Sequence, residues 1–144
     1  MIKVKEQARW RCHTVLKKYR EDRLEDITEP YEVREIEGNA LKAAGITEMW
    51  ELIVGAAATA WSHANSTLEV YTGAAYEAGT LDGASPETIS GGKKWKASWA
   101  GSDGDGEWSK WKVTNGETDL NEKTEGLGTK SGGTWTLEVS LTLS

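Results

Sequence analysis

The last eleven residues of the chain, 134–144, alternate without interruption between apolar and polar side chains. The apolar set is Trp135, Leu137, Val139, Leu141 and Leu143. Because successive side chains of a β-strand point to opposite faces, this period of two residues predicts a strand with one buried, apolar face and one exposed, polar face. Five apolar side chains in a row need a second apolar layer to cover them. The segment therefore predicts a sheet that packs against another sheet.

Tryptophan takes the place of phenylalanine as the large apolar residue, since the 144-residue chain has eight Trp and no Phe. Sixteen glycines and clusters of Ser, Thr and Asp indicate many tight connections between short strands. A chain of this length buries about two-thirds of its unfolded surface, enough for a core without disulfides. The one cysteine, Cys12, permits no disulfide within the chain, in keeping with folding in a reducing cytoplasm. We expect one β-rich domain over residues 1–144.

The N-terminal quarter predicts a β-hairpin. Residues 7–19 and 31–36 alternate on either side of a charged stretch that ends at Pro30. Two alternating runs joined by a polar turn favour a pair of antiparallel strands, and proline suits the edge of a sheet. We interpret residues 1–37 as a hairpin that packs on the domain or extends from it.

Residues 40–55 change the period from two to 3.6. Apolar side chains recur here at the spacing i, i+3, i+4 and i+7, namely Ile46, Met49, Trp50 and Ile53. This spacing predicts one amphipathic helix that flanks the sheets. Gly38-Asn39 supplies a break and an N-cap before the helix.

The rest of the chain adds three strands and two stretches without a clear period. The strands are predicted at residues 67–71, 94–100 and 107–114. We interpret residues 72–92 as mostly loop, and residues 117–126 are polar and acidic. About six strands and one helix, in runs of strands, predict an antiparallel β-sandwich or jelly-roll-like domain with one flanking helix.

The tryptophans divide into two groups by the character of their neighbours. Six fall on apolar faces and are expected in the core: Trp10, Trp50, Trp95, Trp99, Trp111 and Trp135. Trp61 lies in a polar stretch, and Trp108 shares the face of its strand with lysines, so we expect both to be exposed. An indole at the surface has three interpretations: partial burial, contact with another protein, or stacking on a sugar.

Candidate chemistry is sparse. His13, His63 and Cys12 lack the spacing of a metal-ligand set, and adjacent Cys12 and His13 point to opposite faces of a strand. The carboxylates of residues 21–29 belong to the charged tip of the hairpin, which is normally a solvated surface. Residues 103–107, Asp-Gly-Asp-Gly-Glu, predict a hairpin turn, with weak Ca²⁺ binding as the alternative. We predict no catalytic residues, no metal ligands and no cofactor.

Net charge and hydropathy restrict the partners. A formal charge of −6 disfavours binding to nucleic acid. No apolar run approaches the ~20 residues of a membrane-spanning helix. The N-terminus lacks the apolar core of a signal peptide. We expect a soluble, non-enzymatic protein without a nucleic acid or membrane partner.

Two parts of the chain resemble a family of small structural proteins of tailed bacteriophages. The first is residues 45–55, GITEMWELIVG, followed by Ala64-Asn65 and a strand at 68–71. The second runs from Leu120 to Leu143 and includes GLGTK and TWTLEVSLTL. The resemblance covers most of residues 38–144. The chain departs from the family pattern at positions 69–71, where Glu-Val-Tyr replaces Gly-Val-Gly, and its middle region is shorter.

The resemblance implies a virion structural protein that is made in the host cytoplasm. Within that class we predict a capsid decoration (cement) protein that stabilises the head by bridging subunits. The alternative is a tail or fibre module that binds a host-surface glycan. The expected partners are the major capsid protein or tail proteins and further copies of this chain, with a trimer as one form. The predicted contact residues are Arg9, Arg11, His13, Tyr31, Arg34, Trp61 and Trp108.

Overall fold

The fold is described from a computed structural model over residues 9–20, 29–38 and 40–143. These ranges contain eleven strands and one helix. The elements are β1 (Trp10–Tyr19), β2 (Glu32–Glu37), β3 (Ala40–Leu41), α1 (Ala43–Ile53), β4 (Thr67–Tyr71), β5 (Tyr76–Ala78), β6 (Thr80–Leu81), β7 (Glu87–Ile89), β8 (Gly92–Ala100), β9 (Gly106–Thr114), β10 (Asp119–Lys130) and β11 (Thr134–Leu143).

The strands form two antiparallel sheets. The first sheet has the order β2-β1-β11-β8-β6, and β7 also pairs with β8. The second sheet has the order β3-β10-β9-β4-β5. The predicted antiparallel sandwich with one helix and an N-terminal hairpin is confirmed, because β1 and β2 pair directly. The tip of that hairpin, residues 21–28, lies outside the described residues.

Strand β11 lies in the middle of the first sheet, as its uninterrupted alternation requires. It pairs with β1 from Trp10–Leu143 to Tyr19–Thr134, and with β8 from Gly92–Thr142 to Ala100–Thr134. Four of its five alternating apolar side chains are buried in the core. Leu143, the last of them, is exposed at the end of the strand.

Tryptophans fill the space between the two sheets. Trp99 and Trp135 come from the first sheet, Trp108 comes from the second, and all three are buried. The ring of Trp108 meets each of the other two edge to face, with centroids 4.9 Å apart in both pairs. Each such pair contributes about 0.5–1.5 kcal/mol beyond its burial of apolar area.

The buried indoles also have hydrogen-bond acceptors. Trp108 Nε1 donates to the carbonyl of Gly104 at 2.6 Å, and Trp111 Nε1 donates to the Thr14 hydroxyl at 3.1 Å. Leaving a buried donor unpaired costs about 1–3 kcal/mol, so these acceptors are needed for an indole-rich core.

The predicted orientation of Trp108 is wrong because the pairing of β9 with β10 is irregular next to this residue. β9 and β10 pair at Lys110–Thr124 and next at Trp108–Gly128, so two residues of β9 advance against four of β10. An irregularity of this kind locally changes which face a side chain points to. As a result Trp108 and Trp111, three residues apart, are both fully buried.

Two stretches without a sequence period contain strands. Residues 72–92 were predicted to be mostly loop but hold β5, β6 and β7, which are too short to display an alternation. Residues 117–126 lie largely within β10, whose inward positions are irregular and include the buried polar residue Asn121. Asn121 Oδ1 accepts the backbone N–H of Val113 at 2.9 Å, which compensates the burial of its amide.

The helix α1 starts later than predicted and approaches β10 closely. Its N-cap is Lys42, not Gly38-Asn39, because residues 40–41 form β3 instead. Gly45 is the one residue of α1 that is buried. A Cβ at this position would lie 2.8 Å from the carbonyl oxygen of Asp119 and 2.9 Å from that of Leu120. The helix can rest on β10 at this distance only because Gly45 has no side chain.

We predict that Gly45→Ala destabilises the protein, although alanine is normally better than glycine inside a helix by up to about 1 kcal/mol. The added methyl group would meet backbone, which cannot rotate away, so the free energy of unfolding should fall by about 1–3 kcal/mol. Gly126→Ala is the matched control, since no atom lies within 4 Å of its Cβ position, and it should leave stability unchanged. Urea unfolding of both variants measures this, and a stabilised Gly45→Ala would contradict the packing.

Candidate protein-binding groove

An apolar groove lies where β1 begins, β11 ends and α1 passes over the end of the sandwich. It consists of two cavities of about 500 and 330 Å³, which share Trp10, Met49 and Leu143 as lining residues. We call this surface the apolar groove. Its exposed apolar side chains are Trp10, Ile46, Trp50, Ile53 and Leu143. Contiguous exposed apolar surface of this kind is typical of a binding site rather than of ordinary protein surface.

The rotation of α1 creates half of the groove. Glu48 turns towards the protein, where its carboxylate accepts the Thr118 hydroxyl at 2.8 Å and the Thr59 backbone N–H at 3.2 Å. Met49 and Leu52 pack against the core. The inward stripe of the helix is therefore 45, 48, 49 and 52, shifted by one residue from the predicted stripe. Trp50 consequently points outward and is 62% exposed.

The floor of the larger cavity is the end of the core itself. It is formed by Trp61, Trp95, Leu120 and Leu141, which come from both sheets and from the segment before β4. The indole N–H groups of the two tryptophans already have acceptors in Thr118 and Ser66. The floor therefore offers a ligand apolar surface and few hydrogen-bonding groups.

Three cations beside the groove have no carboxylate partner in the part of the chain that the structure describes. Arg9 and Arg11 line a smaller polar cavity that adjoins it at Trp10, and Lys93 lines the larger apolar cavity. None of the three forms an ion pair within the described residues, and Lys93 Nζ donates only to the hydroxyl of Thr88 at 2.6 Å. Glu37 also lines the polar cavity, and its carboxylate accepts a hydrogen bond from His13.

The structure places the predicted contact residues of the hairpin in different surroundings. Arg9 and Arg11 are exposed beside the groove, whereas Tyr31 is exposed at the opposite end of β1. His13 lies against Glu37 on the hairpin. Arg34 donates to Glu125 and to the carbonyl of Gly126, both at 2.8 Å, and so ties β2 to β10 of the other sheet.

The predicted exposure of two tryptophans and the predicted burial of two others are wrong. Trp108 is fully buried and Trp61 is 8% exposed, while Trp10 and Trp50, expected in the core, are 41% and 62% exposed. Trp10 is exposed because β1 begins there, opposite the last residue of β11. No local pattern distinguishes it from the inward residues that follow at positions 12, 14 and 16.

Residues 103–107, predicted to be a hairpin turn with weak Ca²⁺ binding as the alternative, overlap the turn between β8 and β9, and this turn holds a lysine ammonium. Lys130 Nζ, whose side chain is fully buried, donates to the carbonyl of Gly101 at 2.7 Å and to Asp105 at 3.2 Å. Asp105 also accepts the backbone N–H of Gly132 at 3.0 Å. That hydrogen bond first, and then Lys130, hold the pKa of Asp105 below its ordinary value.

A second group of titratable side chains lies on the outer face of the second sheet. Burial raises the pKa of Tyr76 to about 12, assisted by its hydrogen bond to Glu122 at 3.1 Å. Lys112 lies 3.2 Å from Asp119 and over the ring of Tyr76. A phenol with a raised pKa keeps its proton at neutral pH, so Tyr76 does not provide a base. Among the described residues no group of three or more His, Cys, Asp or Glu side chains could hold a metal ion.

We predict that Trp50 and Trp108 respond oppositely to truncation. Trp108→Ala removes a buried indole that touches both sheets and should lower the free energy of unfolding by about 3–5 kcal/mol. Trp50→Ala removes an exposed side chain and should change it by no more than about 0.5 kcal/mol. Urea unfolding followed by circular dichroism compares the two. Equal losses would mean that α1 buries Trp50 and that the groove is absent.

We predict that Asp105 stabilises the protein only above its own titration range. Its pKa is lower in the folded chain than the ordinary value of 3.8, so its contribution is complete above that value and is lost as the pH falls through the folded pKa. Asp105→Asn keeps an acceptor oxygen but removes the charge. The stability difference between wild type and variant should be constant near neutral pH and disappear in acid. Urea unfolding as a function of pH measures it, and a difference that grows in acid would contradict this sign.

Within the described residues, no helix has the length and apolar character required to cross a membrane. Comparisons of this chain with protein-family models, with curated proteins and with solved structures find no match.

Proposed function

We propose that this chain is a non-enzymatic structural subunit of a bacteriophage particle, a decoration (cement) protein of the head that acts by burying the apolar groove against a neighbouring protein. The observation that carries the proposal is the exposure of two tryptophans, Trp10 and Trp50, beside a preformed apolar cavity. In a protein that acts as a monomer, exposed indoles reduce solubility, so buried tryptophans or polar side chains are expected at these two positions.

The composition of the groove suits a protein interface. Interfaces of this kind have a central cluster of aromatic and apolar side chains surrounded by a polar rim, and tryptophan and arginine are the residues that most often dominate the binding energy. The groove has Trp10 and Trp50 in its apolar part and Arg9, Arg11 and Lys93 around it. Complete burial of an aromatic side chain removes about 150–250 Å² from water, and a partner that covered Trp50 and Trp10 would bury the exposed 62% and 41% of these side chains.

The frame of the groove is rigid, which lowers the entropic cost of binding. Its parts come from paired strands β1, β11 and β8 and from a helix that rests on β10 at Gly45 and is joined to Thr118 by Glu48. A surface that is already ordered loses little conformational freedom when a partner covers it. Repetition of the same contact over a symmetric shell would add many such interactions.

The phage assignment is supported by the resemblance described above. The stretches that carry it, residues 45–55 and 120–143, form α1, β10 and β11. Two of these elements contribute Trp50 and Leu143 to the groove. The resemblance and the proposed interface therefore fall on the same elements.

The glycan-binding alternative relies on Trp61, Trp108 and the loop predicted at residues 72–92, a stretch in which the structure has β5, β6 and β7. Trp108 is fully buried, and Trp61 is 8% exposed as part of the apolar floor of the larger cavity. The exposed indoles, Trp10 and Trp50, lie in a groove with few groups that could bind sugar hydroxyls. A head or tail protein that contacts another protein is the simpler use of this surface.

The proposal predicts that the protein is spread over the heads of purified phage particles. Immunogold labelling with an antibody against the chain should give gold distributed over the head, and mass spectrometry should find the chain among the particle proteins. Gold confined to the tail would sink the decoration function and favour a tail role. Absence from the particle by both methods would overturn the proposal altogether.

A variant tests whether the apolar groove makes the particle contact. Particles that lack the protein should bind added wild-type chain and lose most of that binding with Trp50→Glu, which puts a charge into the groove. Val33→Glu is the matched control, since Val33 is also exposed and apolar but lies on β2 away from the groove. If Trp50→Glu bound the particles as well as wild type does, the apolar groove would not be the surface that contacts the particle.

A further inference from the structure

We propose that the apolar groove of one copy receives the acidic tip of the β1–β2 hairpin of a second copy, so that the chain associates head to tail. The inference rests on the proposed function in one respect, that the groove is a protein interface. It names the partner at that interface as a further copy of this chain.

The composition of the tip complements that of the groove, because the tip carries carboxylates and the rim of the groove carries cations. Residues 21–29, Glu-Asp-Arg-Leu-Glu-Asp-Ile-Thr-Glu, carry five carboxylates and one arginine, with Leu24 and Ile27 among them. Residues 21–28 lie outside the described part of the chain, and they connect Arg20, which follows β1, to Glu29, which precedes β2. The tip thus combines strong negative charge with two apolar side chains.

Charge complementarity favours this occupant. The chain has a net charge of −6, yet Arg9, Arg11 and Lys93 stand around the groove with no ion pair among the described residues. A segment rich in carboxylates would neutralise them, while Leu24 and Ile27 cover the apolar floor. Charges that match across an interface steer encounter and fix its register.

The occupant has to come from another molecule. Trp10, at the groove, and Tyr19, at the base of the tip, are the two ends of β1, and a ten-residue strand is about 30 Å long. β1 is paired with β11 along its whole length, so the strand cannot bend back on itself. Residues 21–28 are tied at both ends, to Arg20 and to Glu29, so none of them can lie more than about 15 Å from one of these two residues. The segment therefore cannot reach the groove of its own copy, and a contact between them links neighbouring copies. Such a contact can close into a ring.

The N-terminal segment, residues 1–8, is the competing occupant because it enters β1 beside the groove. Its charged residues are Lys3, Lys5 and Glu6, so it brings a net positive charge to a rim that is already positive. Like charges oppose one another at such a contact. The acidic tip is the better electrostatic partner.

The test is sedimentation of the full-length chain over a range of concentrations at low salt. Wild type should associate. Glu25→Lys with Asp26→Lys in the tip, and Trp50→Glu in the groove, should each weaken self-association at least tenfold. The matched controls are Glu107→Lys with Glu117→Lys, at two exposed positions outside the groove, and Val33→Glu. Both controls should associate as wild type does.

Mixing the two impaired variants gives the decisive result. The Trp50→Glu copy retains an intact tip and the tip variant retains an intact groove, so one tip–groove contact can form between them. The mixture should therefore contain a one-to-one complex that neither variant forms alone. A contact between two identical surfaces would not be restored in this way, because every mixed pair would include a damaged surface.

Several results would overturn the inference. A wild type that stays monomeric at all concentrations excludes it, and so does a tip variant that associates as strongly as wild type. A chain without residues 1–8 should associate normally, and loss of association on that deletion would make the N-terminal segment the occupant. A monomeric wild type whose particle binding is still lost with Trp50→Glu would reject head-to-tail association while leaving the proposed function intact.

Discussion

The packing of Trp108 between Trp99 and Trp135 holds the two sheets together. The middle ring comes from the second sheet and the outer two from the first, so neither sheet can shift without breaking both edge-to-face contacts. The surroundings are adapted to the bulk of these rings. The Gly104 carbonyl accepts the Trp108 N–H, and the ammonium of Lys18 lies 4.2 Å from the centre of a Trp135 ring. Lys18 in turn pairs with Glu32 and donates to Leu127, which draws β2 and β10 into the same cluster.

The parts of the fold that could be predicted from the sequence are those whose signal is local. β11 alternates along its whole length and β8 alternates from Lys94 to Trp99, and the structure buries the expected faces, with Trp95, Ala97 and Trp99 inward in β8. The hairpin was predicted for the same reason. β10 was missed because its inward positions depend on the irregular pairing with β9, a relation between two strands that neither sequence contains alone. Trp108 was assigned to the wrong face by the same irregularity.

The groove could not be predicted for a related reason. The apolar residues of α1 were recognised, but the rotation of the helix is decided by contacts with residues some seventy positions away, at Asp119, Leu120 and Thr118. The apolar residues at 46, 49, 50 and 53 predict a helix, but they do not predict that the close contact of Gly45 with the backbone of β10 will set its rotation. Trp10 and Trp50, predicted to be in the core, are exposed in the apolar groove. Trp61 and Trp108, predicted to be exposed, are part of the core.

The complete burial of Lys130 makes its amine a reporter of local opening. An ammonium held by Gly101 and Asp105 inside the turn cannot meet an acylating reagent while the end of β10 is in place. Reaction at this lysine would require that β10 separate from the β8–β9 turn, whereas exposed lysines such as Lys93 react without any opening. The ratio of the two labelling rates therefore gives the free energy of detaching that corner, a quantity that global unfolding does not resolve. The same lysine that neutralises the acidic turn thus records how often the turn comes apart.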